Sequence, residues 1–176
     1  MKKVGIMSMQ RIANYGSFLQ AYALKQLIEE LGHKVEFVDY HVGAPVIAEN
    51  ADSKNKFVRK LEKGLETFRY QAPPSHKFSF IRYKQSFAKK YMPLLGITDE
   101  MNYNPTLDSL VIGSDEVFNC IQKNSNVGYS TELFGKDNHA DRVITYAASF
   151  GNTTLEKLEK YQKASEVGNL LKEFDA

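Results

Sequence analysis

The sequence LVIGSDEVFN, residues 110–119, joins a short apolar run to a polar turn. The run at 110–112 is typical of a buried strand, and Gly113 marks the point where that strand ends. The polar side chains that follow belong to Ser114, Asp115 and Asn119. Such residues either contact a ligand beyond the strand or cap the next helix, and this segment alone is compatible with both roles.

A βαβ unit is predicted near the N-terminus. Strand, helix and strand are indicated in this order by KKVGIMSM (2–9), GSFLQAYALKQLIEELG (16–32) and HKVEFVDY (33–40). In the helix, apolar residues at four-residue steps predict the buried face, which Leu24 and Ile28 widen: Leu19, Ala23, Leu27 and Leu31. This order of elements implies parallel pairing of the strands through a right-handed crossover.

The rest of the chain adds helices and two further strands. Helices are predicted at 54–70 and after APPS (72–75), the second with an aromatic stripe at Phe80, Tyr83, Phe87 and Tyr91. Strands are predicted in LDSLVIGSD (107–115) and DRVITYAASFG (141–151), followed by a helical tail at 154–175. The fold class is therefore α/β, with an open, mostly parallel Rossmann-like sheet and a helical insertion at about residues 50–95.

The size and the chain end bear on domain organisation. At 176 residues the chain is long enough for one domain, which we assign to residues 1–176. The tail approaches a further strand, so we expect an N-terminal domain of a larger protein, with the C-terminal domain absent from this chain.

Composition excludes several classes of protein. The apolar fraction of 43% and the charged fraction of 25% are those of a globular protein, and no apolar run approaches the roughly 20 residues of a membrane-spanning helix. The N-terminus reads as a core strand without a signal-peptide cleavage site. The single cysteine, Cys120, excludes an internal disulfide and fits a reducing compartment. We expect a cytoplasmic protein.

Charge is distributed unevenly along the chain. Residues 54–90 contain eleven Lys or Arg and two acids, which gives +9 for this segment and −7 for the remainder. A functional role would require an anionic partner such as an acidic glycan, a lipid-linked pyrophosphate, a membrane surface or RNA. The alternative is that the aromatic residues are buried and the lysines solvated. We favour that alternative and expect no nucleic acid and at most peripheral membrane contact.

Polar residues follow three of the four predicted strands. In parallel sheets these carboxyl ends share one edge, where ligands bind. The candidate binding residues are Arg11, Asn14 and Gly16 after the first strand, Gly113, Ser114 and Asn119 after the third, and Ser149 after the fourth. Asn14 is equally a helix N-cap, and the later residues are equally turn residues. A helix N-terminus would also attract an anion, which Arg11 would help to bind.

Cofactor and metal sites are not indicated. Asp39 ends the second strand, where an acid that binds ribose would lie, but the preceding turn has only Gly16 and lacks the pattern G-x-G-x-x-G. There is no P-loop pattern, and the four histidines and Cys120 lack the spacing of metal ligands. We therefore expect no cofactor and no bound metal.

Three motifs resemble the polysaccharide pyruvyl transferase family. They are NYGSFLQAYAL (14–24), VIGSDEVFN (111–119) and ITYAASFG (144–151), in the order found in that family and spread over most of the chain. The sequence departs from the family pattern at Glu116, where glutamine is usual, and at Phe118, where tryptophan is usual.

The resemblance implies a two-domain architecture similar to that of GT-B glycosyltransferases, with a cleft between the domains. It implies transfer of a pyruvyl group from phosphoenolpyruvate to hydroxyls of a cell-surface or exopolysaccharide sugar, free or lipid-linked, usually as a ketal. The arginine and histidine residues that hold phosphoenolpyruvate belong mostly to the second half of the family's proteins. Asp115 is our candidate for the catalytic base, on position alone.

Two other functions stay open at this point. The chain could be a non-catalytic module that binds a glycan or a protein partner, or half of a nucleotide-sugar glycosyltransferase. An isolated half would have an exposed apolar face, which leaves homo-oligomerisation open and makes activity of the isolated chain unexpected.

Overall fold

The protein is built on a four-stranded, all-parallel sheet. A computed structural model describes residues 1–48, 74–124 and 126–176. The strands are β1 (Lys3–Met7), β2 (Lys34–Phe37), β3 (Ser109–Asp115) and β4 (Val143–Ala148), in the spatial order β2-β1-β3-β4. The helices are α1 (Tyr15–Glu30), α2 (Pro74–Leu95), α3 (Leu155–Lys160) and α4 (Ala164–Leu170). The predicted α/β class with an open parallel sheet is confirmed.

Both faces of the sheet are covered, and strand alternation assigns residues to each face. On one side Val4, Ile6 and Val111 pack with residues of α1 and α2. On the other side Leu110 and Ile112 pack with the segment after β3 and with the C-terminal helices. The carboxyl ends of the strands are therefore the edge that remains available for a site.

The helix α1 begins at a side-chain cap. Asn14 has an extended backbone, and its Oδ1 accepts hydrogen bonds from the backbone N–H groups of Gly16 at 2.7 Å and Ser17 at 3.3 Å. The prediction that Asn14 caps the helix is confirmed.

The predicted buried face of α1 is confirmed at Leu24 and Ile28 but is wrong along the row at four-residue steps. Leu19, Leu27 and Leu31 are 60%, 51% and 74% exposed, whereas Phe18, Ala21 and Leu24 are buried. The reason is that α1 packs against both the sheet and α2, and the aromatic side of α2 contacts Phe18. Its ring lies 6.2 Å from that of Phe87.

The aromatic stripe of α2 forms the second half of this packing. Phe87 is buried, and its ring centroid lies 5.2 Å from that of Tyr15 at the start of α1. Tyr83 and Tyr91 pack against the same cluster, whereas Phe80 is 56% exposed one turn beyond it. The predicted stripe is confirmed except at Phe80. The helix predicted at 54–70 lies outside the described residues.

The C-terminal tail is shorter in its helices than predicted. The predicted helix at 154–175 is divided into α3 and α4, because Gln162 adopts a positive φ of 56° between them. The last residues lie along β4, where the N–H of Asp175 donates to the carbonyl of Val143 at 2.8 Å. These residues form no strand, and the predicted approach to a further strand stays a prediction.

The strands β3 and β4 bend together at their carboxyl ends. Ser114 and Ala147 both have positive φ values, of 56° and 48°. Just before them Gly113 has a φ of 140° and lies beside Tyr146. A Cβ on Gly113 would stand 2.2 Å from the carbonyl oxygen of Tyr146, so only glycine fits this position.

Replacing Phe87 by Ala should lower the free energy of unfolding by about 3–5 kcal/mol, because the cavity would form at the junction of α1, α2 and the sheet. The matched control is Phe80→Ala, where the exposed ring should cost less than about 1 kcal/mol. Urea denaturation followed by circular dichroism measures both. Equal losses would show that α2 does not pack as described.

Replacing Gly113 by Ala should destabilise the protein more than replacing Gly32 by Ala. Gly32 has a φ of 83° with no atom within 4 Å of an added Cβ, so that variant reports backbone strain alone, about 1–2 kcal/mol. Gly113→Ala adds a clash with backbone atoms that cannot rotate away. If thermal unfolding of the two variants is lowered equally, the close approach of β3 and β4 is not as described.

Candidate functional site

The candidate site lies at the carboxyl edge between β1 and β3. The chain passes from β1 outward to β2 and then returns to the other side of β1 to form β3. In open α/β sheets such a reversal leaves a crevice between the two neighbouring strands, where ligands bind. The residues after β1 and after β3 therefore face one another at this point.

Asp115 meets the first turn of α1. Its Oδ2 accepts a hydrogen bond from Ser17 Oγ at 2.5 Å, and its Oδ1 accepts one from the N–H of Glu116 at 2.9 Å. The carboxylate thus lies at the N-terminal end of a helix, where the helix dipole favours negative charge. The protein places its own anion at this helix end.

Ser114 is buried next to Asp115, with only 4% of its surface exposed. Its carbonyl accepts a hydrogen bond from Ser8 Oγ at 3.4 Å, which joins the end of β3 to the end of β1. Its own Oγ has no hydrogen-bond partner among the described residues. The backbone of Ser114 therefore joins the two strand ends, whereas its hydroxyl is buried from solvent in this structure.

The predicted clusters after β3 and β4 also come together. The N–H of Ser149 donates to the carbonyl of Asp115 at 3.0 Å, and its Oγ lies 3.4 Å from the same oxygen. The side chain of Glu116 lies against Gly151. All three predicted clusters therefore lie at one edge of the sheet, linked through Asp115.

Asn119 is part of the framework of this turn. It is buried, and its Nδ2 donates to Glu116 Oε2 at 3.0 Å. Its Oδ1 accepts from Thr153 Oγ1 at 3.1 Å and from the N–H of Ile121 at 3.2 Å. Both ends of the amide are therefore used within the chain, and contact between Asn119 and a substrate stays a prediction.

Arg11 is neutralised by Asp39. Its Nε donates to Asp39 Oδ1 at 2.6 Å, and one terminal nitrogen donates to Oδ2 at 2.7 Å. The other terminal nitrogen donates to the carbonyl of Thr98 at 3.0 Å. The hydrogen bond to Asp39 raises the pKa of Arg11. An anion would have to displace this bidentate pair, so Arg11 is a poor anion ligand in this arrangement.

Asp39 is equally committed. Besides Arg11, it accepts from the N–H of Asn102 at 2.9 Å and from Gln10 Nε2 at 3.3 Å. Its position after β2 is that of an acid that binds ribose, but its oxygens are already occupied by the protein. This geometry supports the argument against a dinucleotide site.

A cavity of 1090 Å³ opens beside this pair. Its wall includes Ser8, Gln10, Tyr40, Gln85, Lys89 and Tyr103. Burial raises the pKa of Tyr40, and the negative charges of Asp39 and Asp115 raise it further. The cavity thus adjoins the crevice. One of its wall residues, Ser8, is hydrogen-bonded to the end of β3, and another, Tyr40, is close enough to Asp115 for the carboxylate charge to affect it.

Sequence reasoning missed most of this cavity. Arg11 lies in its wall together with Ser8 and Gln10 of the same predicted cluster after the first strand, whereas the other wall residues do not follow a predicted strand end with a polar cluster. Gln85 and Lys89 come from α2, on the side opposite the aromatic stripe. The four-residue spacing of Gln85 and Lys89 is visible in the sequence, but it does not indicate a cavity.

The remaining chemistry of the described residues is limited. Cys120 is buried, and burial raises the pKa of its thiol to about 11, so it is a core thiol. Within the described ranges, no cluster of three or more His, Cys, Asp or Glu side chains forms a set of metal ligands. None of the helices in those ranges combines the length and apolar character needed to cross a bilayer.

Comparison with known proteins identifies the family. No curated protein and no solved structure matched the chain. The family model described as polysaccharide pyruvyl transferase matches residues 14–176, which include the cap of α1, the bend of β3 and β4, and the C-terminal helices. The chain therefore belongs to the polysaccharide pyruvyl transferase family.

Proposed function

We propose that this protein takes part in the transfer of a pyruvyl group from phosphoenolpyruvate to hydroxyls of a saccharide, within the synthesis of a cell-surface polysaccharide or exopolysaccharide. Family membership supports the class of reaction. The observation that carries the proposal for this chain is the carboxylate of Asp115, held by Ser17 at the crevice between β1 and β3. It lies where a hydroxyl of an acceptor would approach.

The proposed reaction forms a ketal and releases phosphate. A proton adds to the methylene carbon of phosphoenolpyruvate, and one saccharide hydroxyl adds to the neighbouring carbon. A second hydroxyl of the saccharide then displaces phosphate from that carbon. One hydroxyl proton replaces the proton given to the methylene carbon, and the other leaves with phosphate.

Asp115 is suited to accept a proton from the attacking hydroxyl. A positioned carboxylate is a general base when it can reach the proton directly. Both of its oxygens already accept one hydrogen bond each, and each retains a further lone pair for a substrate hydroxyl. We assign the role of proton donor to none of the described residues.

The cavity provides room for the acceptor. Its wall combines the exposed amide of Gln85 with the ring of Tyr103, which is 40% exposed, whereas the amide of Gln10 is bonded within the chain. Amides bond sugar hydroxyls in pairs, and an aromatic face packs against the C–H surface of a pyranose ring. This supports a saccharide as the ligand on this side of the crevice.

Binding of phosphoenolpyruvate, the donor, requires cationic side chains, and the arginine at this edge of the sheet is already paired. Phosphoenolpyruvate carries a phosphate and a carboxylate, and Arg11 is paired with Asp39. We therefore propose that its main ligands lie outside the described residues, on a second domain with the GT-B-like arrangement that the resemblance implies. The crevice described here would then be the acceptor wall of an interdomain cleft.

In the complete enzyme with its second domain, replacing Asp115 by Asn should lower turnover at least about tenfold, because the amide can still bond both Ser17 and the N–H of Glu116 but cannot take up a proton. The measurement is phosphate release that depends on both phosphoenolpyruvate and a saccharide acceptor. The matched control is Glu116→Gln, which keeps an oxygen for Asn119 and should retain most of the activity.

The same assay separates the alternatives. Unchanged turnover in Asp115→Asn would eliminate Asp115 as the base. Absence of phosphate release from the complete wild-type enzyme, together with saccharide binding, would indicate a non-catalytic glycan-binding module. Binding of a nucleoside diphosphate in its place would indicate half of a glycosyltransferase.

A further inference from the structure

The helix α2 has a charge unlike that of the rest of the described chain. Its 22 residues include five Lys or Arg and no acid. The other described residues include twelve Lys or Arg and seventeen acids. Among the described residues, charge is therefore polarised: α2 is positive and the rest together are negative. Such a distribution orients a protein towards a negatively charged surface.

The outward side of α2 also carries large apolar side chains. Phe78 is 74% exposed and Ile81 is 54% exposed. Because Phe87 faces α1, helical geometry places positions 78 and 82 on the opposite side of the helix, with 81 at its margin. Exposed aromatic and aliphatic residues interleaved with cations are typical of helices that lie in a membrane interface.

This side of α2 is continuous with the cavity. Positions 78, 82, 85 and 89 follow one another along the helix at steps of three or four residues. Gln85 and Lys89, at the end of this row, belong to the cavity wall. A surface that contacted Phe78 and Arg82 would therefore lie next to the entrance of the cavity.

We propose that the outward side of α2 docks the protein on an anionic lipid surface. Arg82 and Lys89, which lie on this side, would bind lipid phosphates, and Phe78 and Ile81 would enter the interface between headgroups and acyl chains. Docking in this orientation brings the cavity to the membrane, where a saccharide on a lipid anchor would be within reach. The docking itself does not depend on the proposed pyruvyl transfer.

Other occupants fit the surface less well. A second copy of the chain would bring two acid-free helices together, and their charges would repel. Single-stranded RNA would use aromatic residues for stacking, and Ile81 offers no such contact. An anionic membrane satisfies both the charge and the aliphatic side chain.

The test is sedimentation of the whole chain with two kinds of vesicle, one of phosphatidylcholine and one of phosphatidylcholine mixed with phosphatidylglycerol. The protein should bind the anionic vesicles at least about tenfold more tightly, and added salt should weaken this binding. Two variants, Phe78→Gln with Ile81→Gln and Arg82→Glu with Lys89→Glu, should each lose most of it. All of these positions are exposed, and circular dichroism confirms that the variants fold.

Matched controls come from other surfaces of the same chain. Leu27→Gln with Leu31→Gln removes apolar residues that are 51% and 74% exposed on α1, and Lys2→Glu with Lys136→Glu changes the net charge by the same amount as the α2 variant. Both controls should bind anionic vesicles within about twofold of the wild type, since membrane attraction acts within a Debye length of the docked surface.

Three results would overturn the proposal. The first is binding that is equally tight to neutral and anionic vesicles, or absent with both. The second is a loss of vesicle binding in the control variants as large as that in the α2 variants. The third is α2 variants that change only self-association or RNA binding. Vesicle binding needs no phosphoenolpyruvate, so its failure would leave the proposed reaction untouched, and absence of phosphate release would leave docking untouched.

Discussion

The backbone of Gly113 passes the carbonyl of Tyr146 so closely that no side chain fits between them. This contact sets the bend at which Ser114 and Ala147 take positive φ values and both strands change direction. Because of the bend, Asp115 points to the first turn of α1, and its carbonyl accepts from the backbone of Ser149. The arrangement of three strand ends around one carboxylate depends on this single close approach.

The site that results differs from a phosphate-binding helix terminus. Asn14 occupies the N–H groups of Gly16 and Ser17, and Asp115 supplies negative charge at the same end. A free helix N-terminus would favour an anionic ligand, whereas this one has been satisfied by the chain itself. The arrangement therefore favours neutral hydroxyl groups as ligands here, which agrees with a saccharide acceptor on this side of the cleft.

The sequence predicts the strands well because short apolar runs that end in glycine or polar residues are compatible with few other types of secondary structure. It predicts the meeting of Asp115 and Ser149 for the same reason, since parallel strands share one edge. It fails for part of the buried face of α1, because Phe18, and not the leucines at four-residue steps, contacts α2. It also fails for the cavity, because Gln85 and Tyr103 reach it through tertiary contacts that no local pattern encodes.

The most direct test of this account is an NMR titration of the protein with a saccharide that has adjacent free hydroxyls. The account predicts changes in the amide signals of Ser17 and Glu116, beside the carboxylate, and of Gln85 and Lys89, in the cavity wall. It also predicts that free phosphate produces no comparable changes at Ser17. Saccharide-induced changes confined to other surfaces, or changes at Ser17 with phosphate alone, would contradict it.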